Sequence, residues 1–368
     1  MKTKFLSKSI GLVLMIAIAT SGYTQTITTP RAASPASETT QTIGISTVTI
    51  NYSRPSVRER TIWGTNLAHY GYNNLGFGSA TAAPWRAGAN ENTTITFSDD
   101  ATIEGKSIPA GTYGLFVGLH EDGKADIIFS KNSTSWGSFF YSQDEDQLRV
   151  TVTSQEIPHT ERLTFDFVDI DNSSAVAVLD WEKKRYPFKV SYDVHEIVIA
   201  NAKNQLRNTA GFGWQGPASA ARYCLQNNVH LEEGMKWADQ AIAGNKNFQT
   251  LFVKAGLTEK AGQDASATYA EAIELATNPQ LNALGYQMMG QGKNEKALEY
   301  FQLNVKRNPK DPNVYDSLGE CYKTLGNNKE AIKSFKKSLS LDPPANVKAN
   351  SIQLLKDMGV DTSEYETD

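Results

Sequence analysis

Between Ile43 and Trp181 apolar side chains recur at every second position. Val48, Ile50 and Tyr52 alternate with polar neighbours. So do Thr93, Ile95 and Phe97; Leu148, Val150 and Val152; Leu163, Phe165 and Phe167; and Ala175, Ala177, Leu179 and Trp181. A strand sends successive side chains to opposite faces, so this period predicts strands with one buried face and one wet face. Glu104-Gly105, Pro109-Ala110-Gly111 and Asp122-Gly123 punctuate the runs. Asp122-Gly123 lies between two apolar runs and predicts a tight hairpin. About nine short strands result, and the fold expected over residues 41–194 is an all-β antiparallel sandwich or barrel. Residues 20–40 are rich in Thr, Ser, Ala and Pro, show no period, and read as an extended lead-in.

Past about His195 the alternation stops and leucine-spaced, alanine-rich segments take over. Leu284-Gly285 recurs as Leu318-Gly319, Ala297 as Ala331, Phe301 as Phe335 and Pro309 as Pro343, each at an offset of 34 residues. That period and residue order resemble the tetratricopeptide repeat, a pair of helices in which a small residue permits close approach and an aromatic fills the adjoining space. Ala265 and Tyr269 fit the same slot less well, and Gly234 and Ala238 fit it poorly. The last helix, about Ala345 to Met358, reads as a cap. Residues 195–368 are therefore expected to form an all-α solenoid, because one helix pair cannot bury its apolar face alone. The resemblance implies a concave groove lined by the first helix of each unit. Asn282, Tyr286 and Met289 would face it in one unit, and Asn313, Asp316, Glu320 and Lys323 in the next. A protein or peptide partner is the occupant this implies; the alternative is that the same face packs on the β domain.

The N-terminus carries an address. Lys2, Lys4 and Lys8 precede a ten-residue apolar run, Ile10–Ala19, that ends in Ala17-Ile18-Ala19. A membrane-spanning helix needs roughly 20 apolar residues. The order basic, apolar, small instead predicts a secretory signal peptide over residues 1–19. The mature protein is expected to be exported, periplasmic or secreted, with no membrane span. Removing the leader takes away three lysines and no acid, so the formal charge moves from -4 to -7. Such a balance argues against a nucleic-acid partner.

Candidate chemistry is sparse. Five histidines, His69, His120, His159, His195 and His230, show no metal-ligand spacing, although His69 and His120 could meet in the fold. Cys224 and Cys321 are about a hundred residues apart and read as buried thiols. No metal or cofactor is implied. One polar-aromatic cluster stands out in the β half: Tyr52, Arg54, Arg58, Arg60 and Trp63, with Trp85, Arg86, Asn90 and Glu91. Guanidinium forks beside indoles suit an anion or a sugar face. The alternative is structural, with arginines tying loops to carbonyls.

The runs NYSRP, PWRAGANE, IPAGTYGLF and WGSFFY resemble the DUF2911 family, a domain of unknown function in exported proteins of Bacteroidetes and relatives. The likeness covers about residues 30–190 and implies export and the β fold, without an activity. Members of that family often carry tetratricopeptide repeats behind the domain. This chain departs from the family pattern in a Gly/Asn/Ala-rich insertion, Tyr72–Ala83, expected to cover or reshape any pocket beside Trp85-Arg86. The reading favoured here is a non-catalytic binding protein. Its rivals are a hydrolase of envelope polymer or sugar with Glu91 or an Asp as general acid/base and Arg86 as clamp, and a carbohydrate-binding module stacking sugar on Trp63, Trp85 and Trp136.

Overall fold

The computed structural model describes residues 33–366, which divide after Val194 into two compact units. The proposed signal peptide lies outside the described residues.

The first unit holds ten strands in two antiparallel sheets. Six strands are ordered β1–β2–β3–β6–β7–β8: β1 Ala36–Ile43, β2 Ser46–Ser53, β3 Thr94–Phe97, β6 Gly111–Leu119, β7 Lys124–Ser130 and β8 Asp146–Thr153. Four are ordered β5–β4–β10–β9: β4 Ala101–Ile103, β5 Lys106–Ile108, β9 Gln155–Val168 and β10 Ser174–Tyr192. Rings from the two sheets meet edge to face, Tyr52 against Phe165 at 5.0 Å and Phe129 against Phe188 at 5.9 Å. β1 begins inside the stretch read as lead-in. One face is exposed and the other half-buried, but up to Ile43 both carry mostly polar side chains, so no apolar alternation betrays it. β9 and β10 are 14 and 19 residues long. They stay paired past Asp180 through two register shifts flanking Glu182, whose φ of 53° provides the kink. Glu104 and Gly105, at φ 48° and 78°, make the two-residue turn between β4 and β5.

β6 and β7 are buried on nearly every residue, where alternation predicts one wet face. The insertion explains this. Ala80 and Ala83, with Tyr72 and Leu75, pack on Phe116, Ile128 and Tyr141 over the outer face of these strands. The insertion therefore serves as a second layer for β6–β7.

The second unit is helical: α1 Val194–Gln205, α2 Gln215–Asn227, α3 Leu231–Gly244, α4 Phe248–Lys260, α5 Ser266–Glu274, α6 Asn278–Gly290, α7 Asn294–Arg307, α8 Pro312–Thr324, α9 Asn328–Leu339, α10 Ala345–Asp357 and α11 Ser363–Glu366. Asp311 and Asn327 cap α8 and α9 by accepting from backbone N–H groups, and Pro312 starts α8. Ala297, Phe301, Ala331 and Phe335 are fully buried. A Cβ on Gly285 would lie 2.4 Å from the Phe301 ring, and one on Gly319 2.6 Å from the Phe335 ring. The glycine of each repeat is thus the seat of its aromatic. Cys224 and Cys321 are free, buried thiols.

Candidate functional site

In the β unit the signature residues hold one another. Tyr52 is buried and donates from Oη to the Phe165 carbonyl at 3.2 Å. Arg54 reaches the Leu163 carbonyl through Nε at 3.0 Å and Thr164 Oγ1 through Nη2 at 2.6 Å. Arg60 caps the Val57 and Ser56 carbonyls at 3.0 and 2.5 Å. Arg86 donates to the Asn90 carbonyl at 2.9 Å, lies 4.8 Å from the Phe139 ring centroid, and is pulled below its ordinary pKa by burial. Asn90, at φ 62°, spans back to Ser53 Oγ and the Ser34 carbonyl. Gly88 must be glycine, since a Cβ there would meet Thr93 Oγ1 at 2.7 Å. Three guanidinium groups therefore bond to the protein's own carbonyls; Arg58 and Glu91 are exposed.

The indoles form a ring stack. Trp85 is 3% exposed and stacks on Trp181 at 5.9 Å and 8°. Trp63 meets both edge-on and donates Nε1 to Glu182 at 3.3 Å. Of the three proposed sugar platforms only Trp136 is open, at 51%. Trp85 is buried with one face on Trp181, while Trp63 is half-buried and set edge-on to it, so the two present no shared flat face.

Sequence reasoning missed a polar network under the insertion. The Asp126 carboxylate accepts from Tyr72 Oη at 2.8 Å, Thr151 Oγ1 at 2.7 Å and His120 Nε2 at 3.2 Å. Arg149 donates to Tyr72 at 3.0 Å, Tyr141 at 2.8 Å and Asp146 at 2.8 Å. Burial raises the Asp126 carboxyl, and the three hydrogen bonds outweigh burial, so it sits below the ordinary carboxylate range. At Asp146 burial wins over Arg149 and Tyr141, and the carboxyl is raised. Gly118 makes room: a Cβ there would lie 2.3 Å from Tyr72 Oη. The histidine that pairs with a carboxylate here is His120; burial pulls the His69 pKa down, and its Nδ1 is buried without a hydrogen-bond partner among the described residues. Among the described residues no three His, Cys, Asp or Glu side chains form a group able to hold a metal, and no helix is long and apolar enough to cross a membrane.

In the helical unit the named groove residues lie on α6 and α8, and Asn350 and Ser351 of α10 join their polar members in a row across the three helices. Asn282 has a buried Oδ1 without a hydrogen-bond partner among the described residues. Tyr286, 36% exposed, donates to Ser317 Oγ at 3.1 Å, and burial pushes its phenol up. Met289 is half-buried against the cluster around Phe301. Asn313 N–H caps onto Asp311. Asp316 is 5% exposed; Asn350 Nδ2 donates to its Oδ2 at 2.8 Å and Ser351 Oγ to its Oδ1. Asn350 also reaches Glu320 Oε1 at 2.7 Å, and Lys323 lies 3.7 Å from Asp357. Asp316 thus binds the capping helix α10 instead of opening onto a groove. Burial raises both Asp316 and Glu320.

The comparisons agree with this division. Residues 34–190 match the model of a protein family of unknown function, DUF2911, and residues 312–344 match a tetratricopeptide repeat. Relatives include the Hsp70-Hsp90 organizing protein of Triticum aestivum, 28% identical over 118 residues, and Hsp70-Hsp90 organizing protein 1 of Glycine max, 29% identical over 113. These stretches cover 32% and 31% of this chain, which spans only 20% and 19% of those relatives' length. Similar solved structures include YrrB, described as a TPR protein with an unusual peptide-binding site (16% identity, 45% of this chain, 87% of that one, TM-score 0.27). Pseudomonas aeruginosa pilF is another (17%, 41%, 72%, TM-score 0.27). The chain carries a DUF2911 domain at residues 34–190 followed by a tetratricopeptide repeat at residues 312–344.

Proposed function

We propose that the protein is an exported, non-catalytic interaction protein whose helical repeats hold a segment of a protein partner. The observation that carries this is the seating of Phe301 on Gly285 and Phe335 on Gly319. Repeats stacked in this way set successive first helices side by side, and such arrays use the resulting extended face for binding. Of the residues named for that face only Asp316 is buried; Asn282, Tyr286, Met289, Asn313, Glu320 and Lys323 keep surface to offer. The wheat and soybean relatives bear the name of proteins that organise two others, which favours the same class. The β domain's ligand, if it has one, is not assigned to Arg54, Arg60 or Arg86, each of which bonds to the protein's own carbonyls.

Two measurements test this. Affinity capture from the envelope of the producing cell with the full mature chain should retain a defined protein, and Asn282→Lys with Lys323→Glu should release it. Equal retention by that variant refutes the groove. Intact mass of the protein recovered from its host should lack Met1 to about Ala19; a mass that includes Met1 refutes export by this leader.

A further inference from the structure

A cavity of about 1220 Å3 opens between α4–α5 on one side and α6–α7 on the other. Three apolar clusters hold the array: one joins α1 to α4 through Ile199, Cys224, Trp237 and Leu257, one joins α6 to α8, and one joins α8 to α11. None of these three includes a residue of α5, whose single buried residue is Ala272. The helix is nine residues long where α3 and α7 have 14. At about 1.5 Å per residue it falls short of them by roughly 7.5 Å. Phe252, Tyr269, Ile273, Met288, Tyr300 and Leu303 line the space and remain only partly covered. Arg307 bridges the two sides, donating to the Ile273 carbonyl at 2.8 Å and to Glu274 at 3.0 Å.

Size and charge select the occupant. Small-molecule pockets run to roughly 1,000 Å3, so this one suits a peptide. Partly buried apolar rows on facing helices take the apolar side of a further helix. At the rim Glu274 pairs with Arg307 and Glu299 with Lys296 at 2.5 Å, while Glu259 accepts from the neutral Tyr269 hydroxyl at 2.9 Å and keeps its charge. Lys260 and Lys293 are exposed, and their ammonium groups make no bond among the described residues. With Arg307 added to the lining's Lys260, Lys293 and Lys296, cations outnumber the carboxylates of Glu259, Glu274 and Glu299 by one.

We infer that the cleft between α4–α5 and α6–α7 receives an amphipathic helix with an acidic polar face, donated by a partner protein. The inference rests on the reading of the array as a protein-binding module, and adds a site distinct from the row on α6, α8 and α10.

The test uses the full mature chain and a fluorescent peptide of about 18 residues, five helical turns, with leucines at helical spacing and glutamates elsewhere. A twin carries lysines for the glutamates. Anisotropy should show saturable binding of the acidic peptide and not of its twin. Lys260→Glu with Lys293→Glu should weaken binding at least about tenfold at low salt. Ala270→Trp, a change at an exposed lining position, should block it, while Asn282→Ala with Lys323→Ala should leave it within about twofold, the additivity expected of separate sites. Failure of the acidic peptide to bind, equal binding of the twin, or indifference to both cleft variants overturns the inference. Loss of binding in the Asn282/Lys323 variant alone overturns it too, while leaving the protein-binding reading intact. A dimer that Ala270→Trp dissociates makes a second copy the occupant and overturns it as well.

Discussion

Gly319 and Phe335 should be energetically coupled, and the coupling has a sign that can be worked out. Phe335 is fully buried with Ala331, Leu339 and Leu355. Removing its ring costs about 3–5 kcal/mol, transfer and cavity together. Gly319→Ala introduces a methyl 2.6 Å from the Phe335 ring. Overpacking of this kind costs about 1–3 kcal/mol, while alanine gains about 1 kcal/mol over glycine inside a helix. In the wild-type background the net effect is a loss of up to about 2 kcal/mol. In the Phe335→Ala background the methyl enters vacated space, so the same change should stabilise by about 1 kcal/mol. The four proteins complete a double-mutant cycle with a coupling of at least about 1 kcal/mol. Denaturant unfolding followed by the helical circular-dichroism band measures it. Lys333→Ala is the control: its side chain is 77% exposed and its partner is Glu330 at 3.4 Å, so the change should stay within about 0.5 kcal/mol. If Gly319→Ala has the same effect with and without the ring, the packing described for the repeat is wrong.

Asp126 sits below the ordinary carboxylate pKa, so its stabilisation is present above about pH 4 and is lost as pH falls through the folded value. Asp126→Asn should therefore cost more at pH 7 than at pH 3, and an equal cost at both would contradict the network. Asp316 and Glu320 are raised, so the folded state binds the extra protons. Their contribution is present below about pH 4 and is lost as pH rises through the raised values. Asp316→Asn with Glu320→Gln should flatten that decline in the unfolding midpoint; an unchanged slope would show that burial does not govern it. Arg54→Met deletes the donors to Leu163 and Thr164 and should destabilise the β unit by about 1–3 kcal/mol. A neutral result would return Arg54 to the list of ligand-binding candidates.

The fold was legible where one face of an element is wet. Val48, Ile50 and Tyr52, or Leu163, Phe165 and Phe167, alternate because their neighbours meet solvent or weakly buried surface. β6 and β7 did not alternate, because the Tyr72–Ala83 insertion dries their second face. β1 was invisible for the opposite reason: its mostly polar side chains show no buried face to read. The repeats were legible because Gly285/Phe301 and Gly319/Phe335 are a contact written twice at one spacing. Ala265 and Tyr269 were read in the same slot at a spacing of 32, but Ala265 is the N-cap of α5, outside the helix, and Tyr269 is half-buried.

The candidate sites were harder to read. Arg54, Arg60 and Arg86 look like ligand groups in sequence, since nothing in a linear chain shows that Leu163 and Asn90 offer them carbonyls. The Tyr72–Asp126–Arg149 network joins residues from three separate segments, and its only linear trace is His120 and Asp126 flanking the Asp122-Gly123 turn. Asp316 carried the expected groove position but lies under α10, which periodicity places as a cap without giving its contacts.

The central claim, that the helical repeats hold a protein partner, is tested most directly inside the producing cell. A photocrosslinking residue placed at Asn282 or Lys323 in the full chain should yield a discrete adduct with one partner. The same residue at Lys333, on the exposed side of α9, should yield none. Absence of any adduct from Asn282 and Lys323, or an identical adduct pattern from all three positions, would contradict the account.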